Sequence, residues 1–188
     1  FKSYISSFPN GIHALQANFY LAQAYFSEGQ EKQSIPNYEY VTAKSRNEFT
    51  EQSLARLAQI YLKTKDYAKT TEVLKRLETE ADYPQNVTYA QSNLMKTYYE
   101  QKDYTNAVIY ADKVLANAKA DDKVKADAQI IVARSAIQTN DEAKARVAYA
   151  KLATISKGEL AAEALYYDAY FKNKDGKFEA SNTAVQKL

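Results

Sequence analysis

The 188-residue chain has no cysteine and no tryptophan, and it holds one histidine, one methionine, three prolines and four glycines. Without cysteine there is no disulfide framework, no thiolate zinc site and no cysteine nucleophile. His13 stands alone, so no histidine-based triad or multi-histidine metal site is available. It reads as a first-turn residue after Gly11. Long apolar runs are also missing: "QIIVA" from Gln129 to Ala133 is among the longest, far from the roughly 20 residues of a membrane-spanning helix. Nor does one sign of charge dominate. Twenty-five basic residues face twenty-three acidic ones, interspersed along the chain, with a formal net charge of +2, which leaves no electrostatic footprint for nucleic acid. There is no glycine-rich phosphate loop, no GxSxG and no HExxH. Asp121 and Asp122 lack the further oxygens of a calcium loop and read as helix-start acids. No catalytic residue, metal or cofactor is expected.

What is present favours helices. Alanine, lysine, glutamine, glutamate and leucine fill the chain, and the glycines Gly11, Gly29, Gly158 and Gly176 are expected to end helices or turn the chain through positive φ. Four segments resemble one another: "LAQAYFSEGQ" from Leu21, "LAQIYLKTKDY" from Leu57, "LMKTYYEQKDY" from Leu94 and "VARSAIQTND" from Val132. Each reads as a helix end followed by a polar turn. After each turn a small residue returns, at Ser34, Thr70, Ala107 and Ala145, and again at Ser181, in steps of 36, 37, 38 and 36. Apolar residues fall three and four apart within each unit, as in Leu54, Leu57, Ala58 and Tyr61, then Tyr67, Thr70, Val73, Leu74 and Leu77. Each unit is therefore a pair of antiparallel helices. Ala22 with Ser34 and Ala58 with Thr70 are expected at helix crossings, where short side chains permit close approach. Tyr25, Tyr61 and Tyr98 fill the gaps to neighbours. Asp66, Asp103 and Asp141 are expected to N-cap the second helices.

These residues resemble the tetratricopeptide repeat, and the resemblance runs over essentially the whole chain. It implies an all-α, right-handed α-α superhelix, a solenoid of about five helix-turn-helix repeats forming one domain over 1–188. The units are placed at about 1–10 (partial), 11–46, 47–83, 84–119, 120–157 and 158–188. Phe1, Tyr4 and Pro9 match the end of the family's second helix, so the chain is expected to begin with half a repeat, as a piece of something longer. The absence of an initiator methionine points the same way. Departures are the longer units, the bulk of Tyr4, Met95 at a small-residue position, Pro36 inside a second helix and an insertion around "KNKDGKF". Longer units joined by "FPNG" or "DYPQN" look like the bacterial cell-envelope members, those accompanying outer-membrane assembly and the Tol-Pal system. That resemblance implies a periplasmic or outer-membrane-associated protein. The residues themselves are compatible with the cytoplasm as well.

In such a superhelix the first helix of each pair lines the concave side. The residues expected to project there are Gln16, Phe19, Gln23, Gln52, Gln59, Lys63, Tyr89, Lys96, Tyr99 and Arg134. This amide-rich, aromatic, mildly basic set suits an extended protein or peptide partner. It does not suit the family's grip on a terminal carboxylate, which uses a lysine and asparagine pair one turn apart. The corresponding pairs here are Phe19 with Gln23 and Ala55 with Gln59. The function expected is a non-catalytic interaction scaffold. Two alternatives stay open: a glycan or small-ligand scaffold using the out-of-register tyrosines among Tyr89, Tyr99, Tyr166 and Tyr167, and self-association, a homodimer through exposed repeat ends.

Overall fold

A short helix, α1 (Lys2–Ser7), leads into five helix pairs, seen in a computed structural model that describes residues 1–155 and 157–187. The pairs are α2 (Ala14–Ser27) with α3 (Glu31–Thr42), α4 (Thr50–Thr64) with α5 (Tyr67–Glu80), α6 (Pro84–Glu100) with α7 (Tyr104–Ala116), α8 (Asp122–Gln138) with α9 (Glu142–Ile155), and α10 (Glu159–Lys174) with α11 (Phe178–Val185). No strand occurs among the described residues. Contacts gather into two compact units, Phe1–Ala90 and Gln91–Leu188. In the first, α1 packs on α2, α2 on α3, α3 on α4 and α4 on α5; in the second, α7 packs on α8, α8 on α9, α9 on α10 and α10 on α11. Within each unit these helices meet their neighbours in the chain, which is how a repeat array builds a core from pieces too small to bury their own apolar faces.

The recurrent small residues sit where the spacing put them. Ala22, Ser34, Ala58, Thr70, Ala107 and Ala145 have no exposed surface, and Ser181 is buried. A longer side chain at any of them would force two helix axes apart, at about 1–3 kcal/mol for overpacking. Met95 departs from the pattern and is also fully buried; an unbranched thioether adapts to such a site more readily than a branched side chain of its size.

The turns carry a second repeat that composition conceals. Five residues adopt left-handed backbone after a first helix: Gly29, Lys65, Lys102, Asn140 and Gly176, with φ of 75°, 55°, 60°, 57° and 74°. They recur at the same steps as the small residues. Glycine occupies this position only twice, so counting glycines finds two of the five turns. Gly11 does not have positive φ, contrary to expectation. A Cβ there would lie 2.5 Å from the Tyr4 hydroxyl, 3.0 Å from the Cβ of Phe8 and 3.3 Å from its carbonyl oxygen, so close approach of the end of α1 is what favours glycine. Each second helix in the middle of the chain then opens on an aspartate. Asp66 accepts a hydrogen bond from the amide of Lys69, Asp103 from Asn106 and Asp141 from Lys144, at 3.0–3.2 Å. Asp121 caps α8 through the Val124 amide at 2.8 Å, in keeping with its reading as a helix-start acid. Pro36 lies inside α3, which nonetheless continues to Thr42. Isolated helix propensity opposes this by about 3 kcal/mol, and burial of Ser34, Tyr38 and Val41 on the same helix offsets it.

Candidate functional site

Two sets of positions on the first helices keep the repeat steps of 36, 37, 38 and 36. One comprises Gln16, Gln52, Tyr89, Asp127 and Glu163; the other comprises Gln23, Gln59, Lys96, Arg134 and Tyr170. Seven of the ten residues expected on the binding face belong to these sets. In the second unit, a member of the later set reaches across to the following repeat's member of the earlier set. Lys96 pairs with Asp127 at 2.7 Å. Arg134 forks onto Glu163 with both nitrogens, Nε at 3.0 Å and Nη2 at 2.5 Å. The carboxylate also accepts the hydroxyl of the buried Tyr149 at 2.9 Å, whose ring stacks on Tyr167 at 4.2 Å. Arg134 holds the Glu163 carboxyl below its usual range, against the opposing effect of burial and with help from Tyr149. Burial, then Glu163, pushes the Tyr149 hydroxyl well up. The cations expected to meet a partner are thus tied to carboxylates of the same unit.

In the first unit the equivalent positions are amides and a tyrosine. Gln16, Gln52 and Gln59 are exposed, Gln23 is half-buried and accepts the Tyr38 hydroxyl at 3.0 Å, and Tyr89 is half-buried with its hydroxyl raised by burial. Burial pushes the Tyr38 hydroxyl up to about 12. Around Gln52 and Gln59 the α4 surface forms one wall of a groove of about 580 Å³, with the 46–48 loop and the 82–86 segment opening α6 as the others. Glu51 builds the second wall. Its carboxylate accepts the amides of Asp82 (2.9 Å) and Tyr83 (3.2 Å) and the side chain of Asn86 (2.6 Å), so an acid on α4 caps the start of α6. Arg46 pairs with Asp82 at 2.6 Å above it.

Three expected residues are placed elsewhere. Phe19 is buried, stacked on Phe49 with centroids 4.4 Å apart, because its turn of α2 faces the residues leading into α4 rather than solvent. Lys63 is exposed at the far end of α4 and pairs with Glu31 at 2.9 Å. Tyr99 is half-buried edge-on to Tyr104 at 5.7 Å, and burial raises its hydroxyl. Of the adjacent tyrosines, Tyr98 packs on Tyr110 and Tyr167 on Tyr149, while Tyr166 is exposed. His13 precedes α2 as its N-cap residue. Of the residues lining the groove only Gln52 and Gln59 are among those expected; Arg56 is not, and its spacing gives no sign that it lacks an acid among the described residues.

Among the described residues no cluster of three or more acidic, histidine or cysteine side chains suits a metal ion, and no helix is long and apolar enough to cross a membrane. No family model matches the chain, and no curated protein matches it. Solved structures do. MamA from residue 41 to its end, of Desulfovibrio magneticus RS-1, is similar over 92% of each chain with 14% identity and a TM-score of 0.63. PilF of Pseudomonas aeruginosa is similar over 93% of this chain and 74% of its own, with 18% identity and a TM-score of 0.59. The nearly identical TPR-like repeats of a Podosopora anserina kinesin light chain are similar over 95% of both chains, with 16% identity and a TM-score of 0.57. At such identities the likeness speaks for the backbone alone, and together with the recurrent crossings and turns it shows an all-α helical-repeat fold like that of tetratricopeptide solenoids.

Proposed function

We propose that the chain is a non-catalytic scaffold that binds an extended peptide segment of a protein partner on the first-helix face of the unit Phe1–Ala90. The observation that carries this is the groove on α4, where Gln52 and Gln59 stand exposed on one wall and Tyr83 on the other. An extended peptide needs donors and acceptors for its backbone, which glutamine amides supply together, and a shallow apolar contact, which an aromatic ring supplies. The corresponding residues Lys96 and Arg134 serve repeat-to-repeat pairing, so the amide-lined stretch is the better site. Its setting is read as the bacterial cell envelope from the unit length and the connecting turns; fractionation of the source cell with an antibody to this chain tests it. The binding site is tested by panning displayed random seven-residue peptides against the chain and its Gln52→Ala/Gln59→Ala variant. Peptides enriched by the wild type and lost from the variant at unchanged helicity support the site. Equal enrichment by both, or none by either, overturns it.

A further inference from the structure

Four of the five arginines have a carboxylate partner: Arg46 with Asp82, Arg76 with Glu80, Arg134 with Glu163 and Arg146 with Glu142 and Asp175. Arg56 has none among the described residues. Its guanidinium lies 4.5 Å over the ring of Phe26 and donates one hydrogen bond, from Nη1 to Oε1 of Gln59 at 3.0 Å. Its Nε is buried without any hydrogen-bond partner. A guanidinium has five donors in a planar fork that matches a carboxylate with two parallel bonds. The Nε is closed off from the groove, whereas Nη2 also lacks a hydrogen-bond partner among the described residues without being closed off, so the Nη1–Nη2 edge is the part of the fork that a ligand carboxylate can meet.

Building on the peptide reading above, we infer that Arg56 is the specificity point of the groove and takes the side-chain carboxylate of an aspartate or glutamate within the bound peptide. The surrounding charges permit this. Glu51 is engaged with backbone amides and Asp82 with Arg46, while Glu48 sits exposed on the loop wall, where salt screens it. The flanking residues explain why the acid is internal. Gln52 and Gln59 stand one turn before and one turn after Arg56, about 10 Å apart along the helix, which is the length of about three extended residues. A chain running through meets both amides on either side of the acid. A chain ending at the guanidinium meets only one of them.

The test uses two displayed libraries of seven random residues, one held between fixed flanks and one ending in a free carboxyl terminus, each panned against the chain and its Arg56→Gln variant. The expected result is an Asp or Glu preference at one position of the internal library on the wild type, absent on the variant. The enriched peptide is then titrated beside its acid-to-amide counterpart. Wild type should favour the acid by about tenfold, and Arg56→Gln should bind both alike. Arg56→Lys keeps the charge without the fork and should retain a weaker acid preference. Enriched peptides without acid preference that still depend on Gln52 and Gln59 overturn this inference and leave the peptide site standing. Acid preference confined to the free-terminus library overturns it in favour of a terminal carboxylate. No enrichment from either library overturns both readings, and equal wild-type affinity for acid and amide peptides decides against Arg56 even if the glutamine variant fails to fold.

Discussion

The two units carry the same helix pair but use its first-helix face differently. In Gln91–Leu188, equivalent positions of successive repeats are joined by opposite charges, Lys96 to Asp127 and Arg134 to Glu163. In Phe1–Ala90 those positions are Gln23 and Gln52, then Gln59 and Tyr89, and the acid on α4 is directed at backbone amides instead. One face is closed on itself by ion pairs. The other leaves hydrogen-bonding capacity open and, at Arg56, a half-buried guanidinium with no carboxylate partner among the described residues. Charge at a repeat position therefore reports stability or recognition only once its partner across the repeat is known.

The strongest way to break this comparison is Glu163→Ala. It strands the buried Tyr149 hydroxyl and the fork of Arg134 together, and a loss of about 2 kcal/mol in urea unfolding is expected. The same carboxylate has a pH signature. Its folded-state pKa is lowered, so its contribution is fully present above about pH 4.5 and is lost as pH falls through the folded value. The stability difference between wild type and Glu163→Gln should hold from pH 7 to about 5 and shrink below that; a difference that grows on acidification contradicts the assignment. Next in size is Glu51→Ala, which removes the acceptor at the start of α6. A cost of about 1 kcal/mol is expected, with faster amide exchange at Asp82 and Tyr83. Lys102→Gly relieves a side chain from left-handed backbone and should raise stability by roughly 0.5–1 kcal/mol, net of the added freedom of the unfolded chain. The smallest effect belongs to Lys96→Gln/Asp127→Gln, which gives the second unit the amides of the first. These side chains are 48% and 30% exposed, so stability should change by less than about 0.5 kcal/mol. A larger loss would mean that the exposed pair holds the repeats together.

Much of the fold is legible in the amino-acid sequence. The steps between Ser34, Thr70, Ala107, Ala145 and Ser181 locate the crossings, and Asp66, Asp103 and Asp141 the helix starts. These signals are local or periodic, so each repeat restates them. The turns are harder to read, because Lys65, Lys102 and Asn140 occupy a conformation that is sought under glycine. The first-helix face is only partly legible. Gln52 and Gln59 line the groove as their spacing implies, but helical period alone turns Phe19 outward when the neighbouring Phe49 buries it. Likewise, Lys96 and Arg134 look available along the chain because their partners lie 31 and 29 residues away.

By itself the sequence determined that the chain is helical, that its helices pair and where the pairs cross. Those properties follow from side-chain size, period and capping chemistry within a few turns of one residue. Only the tertiary structure decided which charges are neutralised, that Glu51 caps α6 and that Arg56 has no acid beside it among the described residues. The reason is physical: an ion pair or a cap acts over a few ångströms in space, and in a repeat chain those ångströms join residues a whole unit apart.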